Sequence, residues 1–292
     1  MNLKQVREFV IEKAIFLCGL VSIIGVILIF VFLLKEGGSF FLKESLRNFL
    51  LGIHWYPTST PAKFGILPLI LGSLIVTGAA ILIAVPLGIA GAIFIAEIAK
   101  GSLKEFLKSS VELIQAIPSV VLGFLGAKVL GGYVMGWFNL SSGLTAFTAA
   151  LLLAFMALPT IISVMEDAIT AVPKRYRESA LAMGSTRWQA IYRVVLPAAA
   201  SGMAAAIMLG IGRAVGETMV VAMASGNAAI IPGFPSGIFG PVKTLTATIA
   251  TEMGEASGLH VQSLFAIAIA LFLITLGVNV TADFLVHKTR VK

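Results

Sequence analysis

Two ionisable residues lie inside one of the most apolar stretches of the chain. Arg213 and Glu217 are the only charged residues between positions 198 and 224. At the centre of a bilayer a charged side chain costs at least about 2.5–3.5 kcal/mol, so an ionisable residue in a membrane segment indicates a function. If the stretch 198–224 is one helix, a spacing of four places both residues on the same face, where they can pair.

Two interpretations of Arg213 and Glu217 remain open. They can form a structural ion pair that hides two charges from lipid. Alternatively, Arg213 lines a path for an anion, because the planar guanidinium group presents several donors to an oxyanion. Glu217 then moderates the attraction, since a residue in a conduction path must also release its ion. The residue types by themselves are compatible with both interpretations.

A second candidate is the stretch 178–197, a charged segment between two apolar ones. A helix-forming run begins at Arg175, Gly184 interrupts it, and a second run begins at Thr186. We therefore predict two short helices joined at Gly184 in an L-shaped protrusion, with Pro197 ending the second helix and opening the next apolar span. Such a rigid protrusion suits docking into a groove of a soluble partner. The alternative is a solvated basic loop near anionic lipid.

The elements that must position these residues are membrane helices. The chain of 292 residues is 58% hydrophobic and 12% charged, with a mean hydropathy of +1.01, whereas a soluble domain has about 25% charged residues. A spanning helix needs about 20 apolar residues. Six stretches meet this requirement: 14–34, 67–96, 111–131, 144–165, 198–224 and 261–283. We predict an all-α membrane protein with six transmembrane helices, the first retained rather than cleaved as a signal.

Basic residues predict how the helices are oriented. With the N-terminus inside, fourteen of the 21 Lys and Arg residues fall on inner segments and six, including Lys128, on outer segments. Because Lys and Arg accumulate on the cytoplasmic side, we expect a multi-pass protein of the cell (inner) membrane with both termini in the cytoplasm. Four aromatic residues near outer span ends fit an interfacial belt: Trp55, Tyr56, Tyr133 and Trp137.

Small residues recur at helical spacing in the second span. They form one ladder, which consists of Ala80, Ala84, Gly88, Ala92 and Ala96. Gly212 and Gly216 form a second surface of this kind in the fifth span. Small residues let helices approach closely in lipid. We favour packing within one subunit, with an interface between subunits as the alternative.

The sequence lacks the motifs of several enzyme classes. It has no Gly-x4-Gly-Lys-Ser/Thr motif, so we expect no ATP hydrolysis by a P-loop in this chain. Cys18 is the only cysteine, and His54, His260 and His287 are scattered near span ends, where interfacial or solvated positions are expected. We predict no catalytic site, no metal site and no bound cofactor. The net charge of +7 is assigned to basic inner loops rather than to nucleic-acid binding.

The charged stretch resembles the cytoplasmic docking loop of ABC importer permeases. That motif reads Glu-Ala-Ala, three residues, Gly, nine residues, Ile-x-Leu-Pro, and this chain departs from it only at Ser179 and Val194. The resemblance implies that five residues couple the chain to a separate ATPase: Glu178, Ala180, Gly184, Leu196 and Pro197. It also implies that the segment from Ala180 to Gly184 lies near the cleft of the ATPase and that Glu178 faces basic residues there.

Further segments resemble the PstC-type permease of the phosphate-specific importer. They are Trp55-Tyr56-Pro57, residues 64–74, residues 212–219 and residues 244–254. The resemblance implies the ABC importer type I permease fold with one extra N-terminal helix. It divides the chain into an N-terminal helix and outer loop (1–62) and a five-helix core (63–292) with the coupling loop at about 166–197. It also places Arg213 and Glu217 at functional positions.

The same resemblance implies the substrate and the partners. The substrate is orthophosphate, and the partners are a homologous permease subunit in a heterodimer, two ATP-binding cassette ATPase subunits and an external phosphate-binding protein. ATP is used by the partner subunit. The sister PstA-type permease, a permease for another oxyanion, a secondary anion transporter without ATPase and a membrane scaffold without substrate flux are the alternatives. Secondary transporters usually contain an internal repeat with broken helices, and the sequence shows no such repeat.

Overall fold

The computed structural model describes residues 3–233 and 236–290. Within these ranges the chain forms thirteen α-helices, which are α1 (Leu3–Phe40), α2 (Leu46–Leu51), α3 (Leu67–Ile93), α4 (Ser102–Gln115), α5 (Ser119–Leu125), α6 (Gly131–Phe138), α7 (Ala146–Thr170), α8 (Lys174–Ala182), α9 (Arg187–Ala190), α10 (Leu196–Gly216), α11 (Met219–Ala224), α12 (Leu245–Glu252) and α13 (Leu259–Arg290). Three π-helical turns interrupt long helices, at Phe94–Ile98, Gly126–Leu130 and Ile191–Val195. A small antiparallel hairpin pairs β1 (Trp55–Tyr56) with β2 (Lys63–Phe64), and a 3₁₀ turn covers Ser236–Phe239.

Six helical stretches of the described chain are long and apolar enough to cross a membrane. They are Arg7–Phe40, Leu67–Ile98, Ser119–Phe138, Ala146–Thr170, Arg187–Gly216 and Leu259–Thr281. The prediction of an all-α protein with six spans is therefore confirmed. An even number of spans places the two ends of the described chain on the same side. We call the side that carries α8 and α9 the inner side and the opposite side the outer side.

The third span differs from the prediction. The expected stretch 111–131 straddles a break, because α4 ends at Gln115 and the continuous spanning helix begins at Ser119. Pro118 explains the break, since proline has no N–H to donate and disfavours a helical conformation in the residue before it. Lys128, which was counted with the outer segments, lies inside this span in a π-helical turn.

The fifth span also differs at both ends. The expected stretch was 198–224, but the continuous helix covers Arg187–Gly216 and stops before Glu217. Pro197 does not end a helix as expected: it lies in the first turn of α10, directly after the π-helical turn Ile191–Val195. Proline has no N–H for the helical ladder, and the wider π-helical turn directly before Pro197 accommodates this interruption, so the helical stretch continues through it.

The main core surrounds α7, which packs against α3 and α10 on either side. Ile161 is 1% exposed and fits between Gly88 of α3 and Gly210 of α10. A Cβ atom at either glycine would lie within 2.6 Å of the Ile161 side chain. The other ladder residues Ala80, Ala84 and Ala92 are fully buried. The ladder therefore serves packing within one subunit, as favoured from the sequence.

A second core joins the N-terminal region to the end of the chain. Phe40, Phe49 and Trp55 are buried together with Leu245 of α12 and Leu264 of α13. Helix α1 leans on α13 only along its outer half. There Phe30 meets Phe272 with ring centres 4.8 Å apart, and Phe32 meets Phe265 at 5.2 Å. Residues 1–62 thus share a core with the helices that follow.

Candidate functional site

Arg213 lies at mid-depth in the helical bundle. It occupies the last turn of α10, and its Nη1 donates a hydrogen bond to Oγ1 of Thr160 at 3.3 Å. Thr160 lies near the middle of α7, which spans Ala146–Thr170. Since α7 crosses the whole bundle, the guanidinium group of Arg213 lies far from both of its ends. This is the depth at which a cation is costly unless it has a partner or a polar path.

Glu217 does not share a helix face with Arg213. Helix α10 ends at Gly216, and Glu217 has an extended backbone with φ −71° and ψ 130°. Its Oε1 atom accepts a hydrogen bond from the backbone N–H of Val220 at 3.4 Å, so the carboxylate caps the start of α11. Of the two open interpretations, the structural ion pair is not formed in this structure, because among the described residues no salt bridge joins Glu217 to Arg213.

The break between α10 and α11 is closed by a short helix from the outer side. Helix α12 begins with the buried residues Leu245, Thr246, Ala247 and Thr248. Oγ1 of Thr246 donates to the backbone carbonyl of Glu217 at 3.0 Å. The N–H of Leu245 donates to Oγ of Ser73 in α3 at 3.0 Å. Non-helical backbone at membrane depth persists where protein buries it or where it lines a cavity, and here α12 supplies that cover.

One face of α10 beside Arg213 is not packed by the part of the chain that the structure describes. Leu209 is 54% exposed and Met219, just after the break, is 40% exposed. A Cβ atom added at Gly212 or Gly216 would meet nothing within 4 Å. This open face therefore differs from the ladder in α3, which is filled by α7. The structure leaves it available to another subunit or to a path.

The charged stretch forms the two-helix protrusion that its sequence predicts. Helix α8 ends at Ala182, and Gly184 turns the chain with φ +82°, a conformation that glycine adopts without strain. Thr186 then starts α9 with a capping box in which its side chain accepts from the N–H of Gln189. The prediction of two short helices joined at Gly184 is confirmed.

The five residues of the coupling motif point in different directions. Glu178, Gly184 and Pro197 are exposed, whereas Ala180 is 9% exposed and Leu196 is partly covered. Met183 at the elbow is 86% exposed and Trp188 of α9 is 61% exposed. These two side chains were not singled out from the sequence. Their apolar surface extends the face that the elbow offers to a partner.

The protrusion is attached to the bundle through Arg177. Its Nε donates to Oε1 of Glu97 at 2.9 Å, and its Nη2 donates to the same oxygen. Nη1 also donates to the carbonyl of Val172 at 2.6 Å, and Nη2 to the carbonyl of Ile169 at 2.9 Å. Arg177 thus binds the carbonyl of Ile169 in the last turn of α7 and the carbonyl of Val172 two residues after that helix. Sequence reasoning did not single out Arg177 or Glu97.

A second ionic cluster ties α4 to the inner end of α7. The carboxylate of Glu166, 2% exposed, lies 2.9 Å from Nζ of Lys104 and 2.8 Å from Nζ of Lys108. Thr170 donates to it at 2.8 Å. Hydrogen bonds to Asp167 and Glu166 raise the pKa of the Lys108 ammonium group above its ordinary value. The ionic cluster thus fastens α4 to the inner end of α7.

The outer side holds a polar network around Glu252. Nε1 of Trp55 donates to Oε1 and Oε2 of Glu252 at 3.1 and 3.0 Å, and Nε2 of His260 lies 2.8 Å from Oε2. Lys243 also contacts this carboxylate. The belt assignment is wrong for Trp55, which is 4% exposed. Of the two alternatives for His260, the solvated one does not hold, since its side chain is 12% exposed; the residue lies at the start of α13, near a span end as expected. Tyr133 and Trp137 are exposed as expected.

No metal site is found in the part of the chain that the structure describes, since no three metal-ligating side chains cluster there. His287 lies in a segment whose side chains are outside that part.

These features define the class of the protein as the membrane permease of an ABC importer. Residues 84–291 match the family described as binding-protein-dependent transport system inner membrane component. The chain belongs to this family. In such importers ATP hydrolysis is carried out by separate ATPase subunits, a periplasmic binding protein is a further partner, and the permease is a non-catalytic, multi-pass component of the inner membrane.

Named relatives agree with this assignment. The chain is 40% identical over 258 residues to the probable ABC transporter permease protein YqgH of Bacillus subtilis, covering 88% of this chain and 82% of that protein. It is 37% identical over 261 residues to the phosphate transport system permease protein PstC of Mesorhizobium japonicum, covering 82% and 78%. PstC of Haemophilus influenzae is 33% identical over 266 residues, with 85% and 83% covered.

Solved structures show the same fold at low identity. A bacterial ABC transporter involved in import of the acidic polysaccharide alginate aligns with a TM-score of 0.65 at 16% identity, covering 97% of this chain and 99% of that one. The MetNI methionine ABC transporter aligns with a TM-score of 0.56 at 20% identity, covering 77% and 94%. The expected ABC importer permease fold is thereby confirmed.

Proposed function

We propose that the chain is the PstC-type permease of an ATP-driven importer of inorganic phosphate and forms half of the translocation path. The observation that carries this proposal is the position of Arg213. Its guanidinium group lies at mid-depth and, among the described residues, has the hydroxyl of Thr160 as its hydrogen-bond partner and no carboxylate as an ion-pair partner. Such a group retains donors for an oxyanion. The PstC proteins among the relatives support phosphate as that anion.

Glu217 has a different proposed role from Arg213. Its carboxylate lies at the break where α10 ends, next to the start of α11. A negative charge near the path weakens the attraction of an anion, which favours release. We therefore assign Arg213 to binding and Glu217 to moderation of that binding. Neither residue takes part in a chemical reaction of the transported ion.

The proposed complex has three kinds of partner. A homologous sister permease covers the open face of α10 near Gly212 and Gly216, so that the path runs between the two subunits. The permease dimer binds two ATP-binding cassette ATPase subunits, and one of these subunits binds the coupling loop of this chain. An external phosphate-binding protein delivers the ion at the outer side. Both termini then lie in the cytoplasm.

The coupling residues have separate tasks in this proposal. Glu178 and Gly184 are exposed at the elbow and contact the ATPase. Ala180 packs inside the elbow, and Leu196 with Pro197 joins the elbow to α10. The division into residues 1–62 and 63–292 follows the five-helix core that carries the coupling loop, although the first region is fastened to that core by shared packing.

Phosphate uptake by membrane vesicles tests the proposal. Vesicles that contain the complex are loaded with ATP, and uptake of labelled phosphate is compared between the wild-type protein and Arg213→Gln. We expect the variant to assemble but to lose uptake by about a hundredfold or more, because the amide has no charge to offer the anion. Arg47→Gln, at an exposed position of α2, is the matched control and should transport normally.

The same assay separates the remaining alternatives. Normal uptake by Arg213→Gln contradicts the role of Arg213. ATP-dependent uptake of another oxyanion, with phosphate as a poor competitor, contradicts phosphate as the substrate but leaves the ATP-driven importer in place. Uptake that does not depend on ATP favours a secondary transporter, and no uptake of any anion favours a scaffold. Co-purification of the sister permease distinguishes the PstC-type subunit from a PstA-type one by its sequence.

A further inference from the structure

Two arginines of the coupling loop meet at one residue of the second span. Arg177 of α8 donates twice to the carboxylate of Glu97. Arg187 of α9 donates to the backbone carbonyl of the same residue at 3.4 Å. Glu97 lies in the π-helical turn Phe94–Ile98 that continues α3. Both short helices of the coupling loop are thus fastened to the inner end of one membrane helix.

The contact between Arg177 and Glu97 is well protected from water. The side chain of Arg177 is 22% exposed and that of Glu97 is 10% exposed. An ion pair in such a setting is weakly screened, and loss of one partner leaves the other charge buried and uncompensated. The cluster around Glu166 ties α4 to α7 and contains no residue of α8 or α9, the two short helices of the coupling loop. The pair of Arg177 and Glu97 is therefore the ionic contact that reports on the position of the loop.

The outer end of α3 is joined to the short helix that closes the path. A Cβ atom at Gly72 would lie 2.4 Å from the carbonyl oxygen of Lys243, so the two backbones touch. Ser73 accepts from the N–H of Leu245 at the start of α12. Thr246 in turn donates to the carbonyl of Glu217 at the break. Helix α3 consequently contacts the coupling loop at one end and the cover of the break at the other.

We propose that the ion pair of Arg177 and Glu97 transmits movement of the coupling loop to α3, and that α3 shifts α12 at the break beside Arg213. Arg177 and Glu97 are positioning residues, since neither contacts the transported ion or ATP. The inference rests on the proposed function in so far as the loop docks an ATPase. Coupling between distant sites can be carried by a chain of packed and hydrogen-bonded contacts, and these contacts form one chain from the coupling loop through α3 to α12.

The first test measures how much anion enters for each ATP hydrolysed. We compare Arg177→Ala, Glu97→Ala and the double variant in the complete complex. Each single variant should keep its ATPase subunits and hydrolyse ATP, but the ratio of phosphate to ATP should fall about tenfold. Both changes remove the contact between Arg177 and Glu97, and Arg177→Ala also removes the bonds to the carbonyls of Val172 and Ile169. The double variant should therefore be no worse than Arg177→Ala alone. Arg177→Lys keeps the charge and should recover part of the ratio.

A control distinguishes this effect from a general loss of positive charge. Lys100 is an exposed cation three residues after Glu97 that has no ion pair within the described part of the chain. Lys100→Ala should leave the ratio unchanged. A wild-type ratio in Arg177→Ala, or losses that multiply in the double variant, would overturn the proposal. Loss of the bound ATPase in Arg177→Ala would also overturn it, since Arg177 would then be a docking residue.

A second readout does not depend on the identity of the anion. In a Cys18→Ser background, which has no other cysteine, Thr218→Cys places a thiol at the break. ATP should change the rate at which this thiol is labelled, and Arg177→Ala should abolish the change. An unaltered response in Arg177→Ala contradicts the link. A wild-type complex that responds to ATP but takes up no phosphate refutes the proposed substrate while the link remains measurable.

Discussion

Arg213 and Glu217 are four residues apart, yet they belong to different helices. The side chain of Arg213 reaches Thr160 of α7, whereas that of Glu217 turns to the first turn of α11. The helix end at Gly216 separates them. At the scale of single residues, charge at mid-depth is therefore handled by two independent arrangements. Each can be altered without removing the partner of the other.

Glu217→Gln tests this independence. The amide oxygen still accepts from the N–H of Val220, and the loss of negative charge leaves Arg213 in place. We expect the initial rate of phosphate uptake to fall by less than about tenfold, against about a hundredfold for Arg213→Gln. The double variant should lose little more than Arg213→Gln alone, because Glu217 moderates an attraction that Arg213 supplies. Equal losses in both single variants, with no further loss in the double one, would mean that the two residues act as a unit.

At the scale of elements, the coupling loop is defined by its turn. Gly184 has φ +82°, and its N–H donates to the carbonyl of Leu181 at 3.0 Å. A residue without that conformation or that donor cannot make the elbow between α8 and α9. The open space around Gly184 shows that conformation, rather than packing, selects glycine here.

Gly184→Pro should therefore disable coupling. Proline fixes φ near −65° and has no N–H, so the elbow cannot form and the loss should exceed about 3 kcal/mol locally. We expect the ATPase to be lost from the purified complex or ATP-driven uptake to disappear. Gly184→Asn is the matched comparison, since asparagine tolerates positive φ and keeps its N–H; it should retain most uptake. Undisturbed binding and transport in Gly184→Pro would count against the docking role.

The elbow could be predicted because its determinants are local. Glycine at a fixed place between two helix-forming runs and the capping pair of Thr186 and Gln189 can be read from neighbouring residues. The helix break before Glu217 could not, because the stretch 198–224 contains no proline and apolar residues continue on both sides of Gly216. What ends α10 there is a contact from α12, whose Thr246 donates to the Glu217 carbonyl. Such a partner lies far along the chain and leaves no periodic pattern.

At the scale of the whole molecule, two hydrophobic cores hold different parts of the described chain together. The first surrounds α7 and holds the spans together; the second lies around Phe40, Phe49 and Trp55 and joins the N-terminal region to α12 and α13. Six spans were predictable because hydropathy is a property of each segment. The contact of Trp55 with Glu252 could not be predicted from the sequence, since 197 residues separate the two. The second core therefore became visible only in three dimensions.

Phe40→Ala tests whether the second core stabilises the whole permease. Phe40 is 0% exposed and meets Phe49 and Phe64 edge to face. Truncation of a buried phenylalanine costs about 3–5 kcal/mol, so the apparent Tm of the purified protein in detergent should fall clearly. Leu42→Ala is the control, because Leu42 is 88% exposed. Equal melting of both variants would show that residues 1–62 are an appendage.

The close packing of α3 at Gly88 has a mechanical consequence. Ile161 leaves no room for a side chain there, so α3 lies directly against α7 at a point between its contacts with the coupling loop and with α12. At 1.5 Å per residue, about 13 Å of helix separates Gly88 from Glu97 and about 24 Å separates it from Gly72. If α3 tilts about Gly88 as a rigid helix, the distances from Gly88 to its two contacts are unequal. A displacement of about 2 Å at Glu97 then becomes one of about 4 Å at Gly72. The larger displacement falls at the end of α3 that contacts α12.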